Sequence, residues 1–293
     1  MEEWSVVHKV ALWGFLGAFL FGIIAHKTHF CTMGAISDWI NMGSLVRLRA
    51  WLLAMSVALL MSQLLQAIGS IDLSASLYLS TYLGIGGHIV GGFLFGVGMT
   101  LGGGCGQRTL VRTGGGNLKS LVVLLVLGLT AYITLRGLLA GVRIEVFEPL
   151  SIDFSEYALA DQSLATILAA VTGIATERVA IGLAVIIVLT LLIYTLKDKD
   201  FRTNGDAIVS GLAVGLLVAG AWFVTGVVGN DDFDPVGLEP LTFIAPVGNM
   251  LNYLMTWTGS TIGFGIAVVF GVLAGSLAYA VTSGNFRIET FSS

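Results

Sequence analysis

"GGHIVGGFLFGVGMTLGGGCGQRTLVRTGGG", residues 86–116, decides how the rest of the chain is read. From Gly84 to Leu101 the stretch is apolar and free of Asp, Glu, Lys and Arg, as a bilayer-crossing helix must be. That helix is expected to break at Gly102-Gly103-Gly104, because each glycine weakens it by about 1 kcal/mol relative to alanine. A span that ends on glycines, with Cys105 among them and Arg108 and Arg112 behind, needs a protein interior at membrane depth. Lipid-exposed irregular backbone would leave its amides unsatisfied.

The composition agrees. The 293 residues are 56% hydrophobic and 11% charged with four prolines, and the mean hydropathy of +0.91 lies far outside the soluble range. A window of about 20 residues, matched to a hydrocarbon core of roughly 30 Å, gives seven spans. They run Val6 to Ala25, Trp51 to Gly69, Gly84 to Leu101, Leu118 to Gly141, Val179 to Leu196, Ala207 to Val228 and Thr261 to Val281. Glu2 and Glu3 stand where a cleavable leader carries basic residues, and no small-residue cleavage site follows, so the first span is read as retained. The fold class is an all-α polytopic membrane protein in one transmembrane domain, 1–293. Its net charge of -4 arises from acidic loops and points to no nucleic acid partner.

Orientation follows from the basic residues, which are retained on the cytoplasmic side. His26, Lys27, Arg47 and Arg49, then Arg108, Arg112 and Lys119, then Lys197, Lys199 and Arg202 occupy alternate loops. The intervening loops carry Asp72, then Glu145, Glu148, Asp153, Glu156 and Asp161, then Asp231, Asp232, Asp234 and Glu239, with Arg143 their one basic residue. The N-terminus is therefore placed outside and the C-terminus in the cytoplasm.

Shorter apolar pieces mark re-entrant or broken helices. Four segments qualify: Phe30 to Gly43, Thr100 to Gly116, Leu164 to Ala175 and Leu241 to Trp257. The first two hold the only cysteines, Cys31 and Cys105. Small-residue faces on the first span (Gly14, Gly17, Gly22), the third (Gly87, Gly91, Gly92, Gly96, Gly98) and the last (Gly263, Gly265, Gly271, Gly275) are expected to let helices approach closely.

The break at Gly102 to Gly106 leaves consecutive amides to point at a ligand, the nest geometry that holds anions, beside a helix N-terminus of positive dipole. Cys105, Gln107, Arg108, Thr109 and Arg112 then share one small volume, and Cys31 with Thr32 forms a second candidate wall. Simpler readings stand beside this one. Both cysteines can be packing thiols, the arginines can be topology signals, and His29 reads as an interfacial residue. No ligand-like Cys/His spacing favours a metal, and no cofactor is indicated. A disulfide between two loops read as cytoplasmic would face a reducing environment.

"HFCTMGAISD", the glycine–cysteine block from Gly86 to Val122, "LTFIAPVGNML" and "NFRIETF", in that order, resemble the YeeE/YedE family of bacterial inner-membrane proteins that import thiosulfate or related sulfur compounds. The resemblance covers most of the chain. It implies an hourglass-shaped helical protein whose loops dip to a central constriction where cysteines meet the substrate, with Cys105 and then Cys31 as the residues carried over. It also implies a small cytosolic sulfur-carrier protein as partner. Family members usually continue past "FRIETF" into a second glycine-rich helix ending in G-C-x-x-G-Q, and the chain stops at Ser293 without it. The first and last spans resemble each other weakly, so an internal duplication of about 1–141 and 207–293, with the second repeat incomplete, is expected.

Thiosulfate is a dianion with a polarisable terminal sulfur, and a pathway must replace its hydration without trapping it. A cysteine in apolar surroundings stays a neutral thiol and offers a weak S–H donor. On this reading Cys105 passes the anion inward while Gly102, Gly103, Gly104, Gly106 and Arg108 hold its oxygens, and the protein is not an enzyme. Two alternatives remain at this point: a membrane enzyme in which Cys105 is a persulfide-forming nucleophile, and a non-transporting assembly subunit.

Overall fold

The computed structural model describes residues 5–231 and 234–291. Glu2, Glu3 and Asp232, which contribute to the leader and orientation readings, lie outside the described residues. The α-helices are α1 (Val6–Thr28), α2 (Thr32–Met42), α3 (Val46–Ala67), α4 (Ile85–Leu101), α5 (Gly106–Gly114), α6 (Leu118–Arg136), α7 (Leu138–Val142), α8 (Leu164–Thr172), α9 (Thr176–Leu196), α10 (Lys199–Thr203), α11 (Gly205–Phe223), α12 (Ile244–Met255) and α13 (Phe264–Thr282). Among the described residues, seven helical stretches are long and apolar enough to cross a membrane. They coincide with the seven spans read from the sequence, and each of the four shorter apolar segments contains a short helix: α2, α5, α8 and α12.

Local chemistry sets several boundaries. The side chains of Asn117, Ser163, Asp198 and Asn204 accept the first free amides of α6, α8, α10 and α11, as N-cap residues do. Gly43 and Gly173 end α2 and α8 in the left-handed conformation that a Cβ would disfavour.

The loops sort to two ends. At one end Arg49 meets Asp198 at 2.8 Å and Lys27 meets Asp206 at 3.5 Å. There too Asn117 bonds the Glu289 carboxylate, and the backbones of Gly116–Leu118 and Glu289 exchange two hydrogen bonds, fastening "NFRIETF" to the loop after α5. At the other end a two-residue strand pair, β1 (Tyr82–Leu83) with β2 (Ile152–Asp153), and Gln162 on the carbonyl of Tyr78 join the acidic loops.

Glycine decides the closest packing. A Cβ on Gly22 would stand 2.5 Å from the carbonyl oxygen of Val272, and one on Gly271 would stand 2.5 Å from that of Phe15. The contacts advance together, Gly14 on Phe264, Gly22 on Ser276 and His26 on Tyr279, so α1 and α13 run parallel. Gly211 and Gly215 bring α11 onto α3 in the same way, and Gly128 brings α6 onto α12.

The third span departs from expectation. A Cβ on Gly87, Gly91, Gly92, Gly96 or Gly98 would meet nothing within 4 Å, nor would one on Gly263. Glycine spacing gives a helix the capacity for close approach, but it does not supply a partner, and among the described residues none covers that face of α4.

Candidate functional site

Two helix breaks meet. The first lies between α1 and α2, where His29 takes the left-handed conformation (φ 53°) and Cys31 caps α2. The second lies between α4 and α5, where Gly103 takes it (φ 69°) and Cys105 caps α5. Both cysteines are thus N-cap residues of short helices, both are buried and free, and their thiols are near enough to interact side chain to side chain. Cys31 Sγ accepts from the Gly34 amide at 3.4 Å. The starts of α2 and α5 both lie beside the Cys105 sulfur, so the two helix starts meet at the same thiol pair.

Gln107 joins the breaks. Its Nε2 donates to the carbonyl of Phe30 at 3.2 Å, while its Oε1 lies 3.7 Å from Cys105 Sγ and takes the thiol proton. Thr109, buried on the next turn, bonds back to the Cys105 carbonyl at 3.1 Å. Ile244, at the start of α12, stands where a Cβ on Gly106 would reach it at 3.0 Å, and this close packing sets α5 beneath the segment before α12.

The glycines act differently from the nest read in the sequence. The amides of Gly102, Gly103 and Gly104 bond the carbonyls of Gly98, Thr100 and Met99, closing the end of α4 as helix C-caps do. Arg112 Nη1 holds the Gly103 carbonyl at 3.2 Å, and the Arg108 stem lies over Gly104. Gly102 to Gly104 therefore build the turn, and the amides left for a ligand are those of the first turn of α5, from Gly106 to Arg108, which a helix leaves unpaired.

A cavity of about 520 Å³ lies against this junction, bordered by Thr32, Cys105, Gly106 and Gln107 with walls from Phe21, Trp51, Phe95 and Val214. It is almost wholly apolar apart from these groups. Behind the thiols stand cations. Arg108 Nη1 and Nη2 donate toward His29 Nδ1 at 3.4 and 3.5 Å, and Arg47 pairs with Asp38 at 2.6 Å. The sequence marks Arg47 only as a topology signal and does not single out Asp38, although Gly34, three residues after Cys31, is a pointer to the site: its missing Cβ makes room for the Arg47 head. A second cavity, about 1150 Å³, lies near the opposite end beside Asp72, Asp161 and Glu177, whose carboxylates make it the poorer anion site. No group of three or more His, Cys, Asp and Glu that could hold a metal occurs among the described residues.

The model of the family described as sulphur transport matches residues 27–293. The chain belongs to the sulphur transport family. This is the YeeE/YedE family that its cysteine blocks resemble, and with seven spanning helices the chain is a multi-pass membrane transport protein of that family. It is similar to a protein of Spirochaeta thermophila named thiosulfate transporter TsuA, 25% identical over 279 residues that cover 94% of this chain and 79% of the relative. A protein of Escherichia coli with the same name is 24% identical over 305 residues, covering 96% of this chain and 78% of the relative. The family match includes both cysteine blocks and the segment that ends in "NFRIETF".

Proposed function

We propose that the chain imports thiosulfate, or a closely related inorganic sulfur anion, across the bacterial inner membrane, with the N-terminus outside and the C-terminus in the cytoplasm. The observation that carries this reading is the pair of thiols capping two facing helix N-termini at the edge of an apolar cavity. Helix N-termini offer amide donors and a positive dipole end to an anion, and thiols offer weak, soft donors to a terminal sulfur.

In this mechanism the anion leaves the cavity for Cys105, whose S–H turns from Gln107 Oε1 to the anion's sulfur, while the amides of Gly106, Gln107 and Arg108 and the hydroxyl of Thr32 face its oxygens. Cys31 receives it next. No single contact is strong, which lets the dianion depart again. Gly102, Gly103 and Gly104 give the turn its shape, and Thr109 and Gln107 hold Cys105 in place. A small cytosolic sulfur-carrier protein that consumes the arriving sulfur would keep the gradient inward. The parallel pairing of α1 with α13 supports the duplication of about 1–141 and 207–293.

Uptake of labelled thiosulfate into proteoliposomes tests the proposal. Wild-type protein should accumulate label and Cys105→Ala should not; equal uptake by the two would remove Cys105 from the pathway.

A further inference from the structure

Past the thiols, on the side away from the cavity, the protein gathers more positive charge than a passing dianion can easily leave. Arg108 leans on His29, and both lie within electrostatic reach of Arg47. Arg112 is nearby on α5, its Nη1 on the Gly103 carbonyl. Of the neighbouring carboxylates, Asp198 is taken by Arg49 and Asp206 by Lys27. Asp38 of α2 remains, 8% exposed, and it faces Arg47.

The pairing is two-pronged. Arg47 Nε meets Asp38 Oδ2 at 2.6 Å and Nη2 meets Oδ1 at 3.2 Å. This fork-on-fork geometry leaves Nη1 to spare, and that nitrogen lies over Gly34, where a Cβ would come within 2.5 Å of it. Gly34 is the residue whose amide bonds Cys31 Sγ. The unspent donor of Arg47 is therefore delivered to the first turn of α2, next to the second thiol. Two guanidinium groups flanking a helix start suit a tetrahedral oxyanion, since a guanidinium's fixed fork matches such oxygens.

We propose that Arg47 and Arg108, with His29 positioning the latter, form a second anion station beyond Cys31, and that Asp38 is its built-in counter-anion, competing with the transported anion for Arg47 and so releasing it. This rests on the transport reading above. An arginine pair without a competitor would hold a dianion in place. With Asp38 tethered four residues beyond Gly34 on the same short helix, Arg47 engages the arriving anion through Nη1 and returns fully to the carboxylate as the anion leaves. Asp38 touches no substrate and acts through Arg47, so it is a positioning residue.

The test is the concentration dependence of labelled thiosulfate uptake into proteoliposomes by wild type, Asp38→Asn, Asp38→Glu and Arg47→Gln. Neutralising Asp38 should lower KM and the maximal rate together, each by about fivefold, the scale of a partly exposed ion pair, because the anion is held more tightly and released more slowly. Asp38→Glu should restore both, and Arg47→Gln should raise KM. A fall in maximal rate alone, or no change, in Asp38→Asn would assign Asp38 a structural role and overturn the inference. If that variant does not reach the membrane, Gly34→Ala displaces Nη1 while leaving the ion pair, and an unchanged KM there overturns it equally. Absence of uptake by wild type would instead sink the transport reading and this inference with it, whereas wild-type uptake with unaltered kinetics in the variants sinks the inference alone.

Discussion

The two helix breaks do the same job by different means. Between α1 and α2 the chain turns on His29, a residue with a side chain held at φ 53°, and resumes at a cysteine whose sulfur accepts an amide of its own helix. Between α4 and α5 it turns on Gly103 at φ 69° and resumes at a cysteine that makes no cap bond and directs its thiol to Gln107. Cys105 lines the cavity, and Cys31 lies toward the arginines. The difference shows that the thiols are not interchangeable: one donates to Gln107 at the cavity edge, the other accepts an amide within a helix start, and in the proposed mechanism only the first faces the arriving anion.

The largest expected effect comes from erasing the donor. Cys105→Ala should bring thiosulfate uptake to background, while Cys105→Ser should keep part of it because a hydroxyl still donates. Serine fully equal to cysteine would mean that sulfur softness plays no part, and alanine equal to either would end the proposed role.

Cys31 should answer differently. Serine is among the preferred N-cap residues and alanine is not, the exchange being worth about 1 kcal/mol. Cys31→Ala should therefore lower both uptake and the thermal midpoint, whereas Cys31→Ser should lower uptake while holding or raising the midpoint. No such split is expected at Cys105, where the side chain makes no cap bond. Differential scanning fluorimetry alongside uptake checks this, and the same split at both cysteines would erase the distinction drawn between them.

Most of this fold was legible before any coordinates, because hydropathy over a span-length window is a strong and local signal. The seven spans and four short helices sit where the sequence put them. The Gly102–Gly104 turn was legible as a break but not in its bonding: whether an amide is bare depends on which carbonyl the turn brings beneath it, and here α4 supplies all three acceptors. The bare glycine face of α4 was illegible for a related reason, since a helix pattern describes one surface while packing needs two. Arg47 and Asp38, nine residues apart, pair only because the chain folds back between α2 and α3, and periodicity along one helix carries no trace of that.

The glycine turn itself gives a smaller effect. Gly103→Ala meets open space, its nearest neighbour being Arg112 Nη1 at 3.6 Å, so the cost is conformational and not steric. A left-handed residue with a Cβ loses about 1–2 kcal/mol, and the thermal midpoint should fall accordingly with uptake reduced in proportion to folded protein. A larger drop in uptake than in folded protein would show that the turn must also flex during transport.

His29→Gly makes the mirror-image exchange, with the smallest net effect. Here the substitution removes the Cβ strain, worth about 1 kcal/mol, and also removes the imidazole that Arg108 reaches at 3.4 Å. That contact is long and exposed, so it contributes less than the strain costs, roughly 0.5 kcal/mol. The variant should be slightly more stable than wild type, opposite in sign to Gly103→Ala, while uptake falls modestly because Arg108 loses its stay. A destabilised His29→Gly would mean that the first break is held by the imidazole and not merely tolerated by it. The two breaks would then share a logic, each fastened by a polar contact to an arginine: His29 through Arg108 and Gly103 through Arg112.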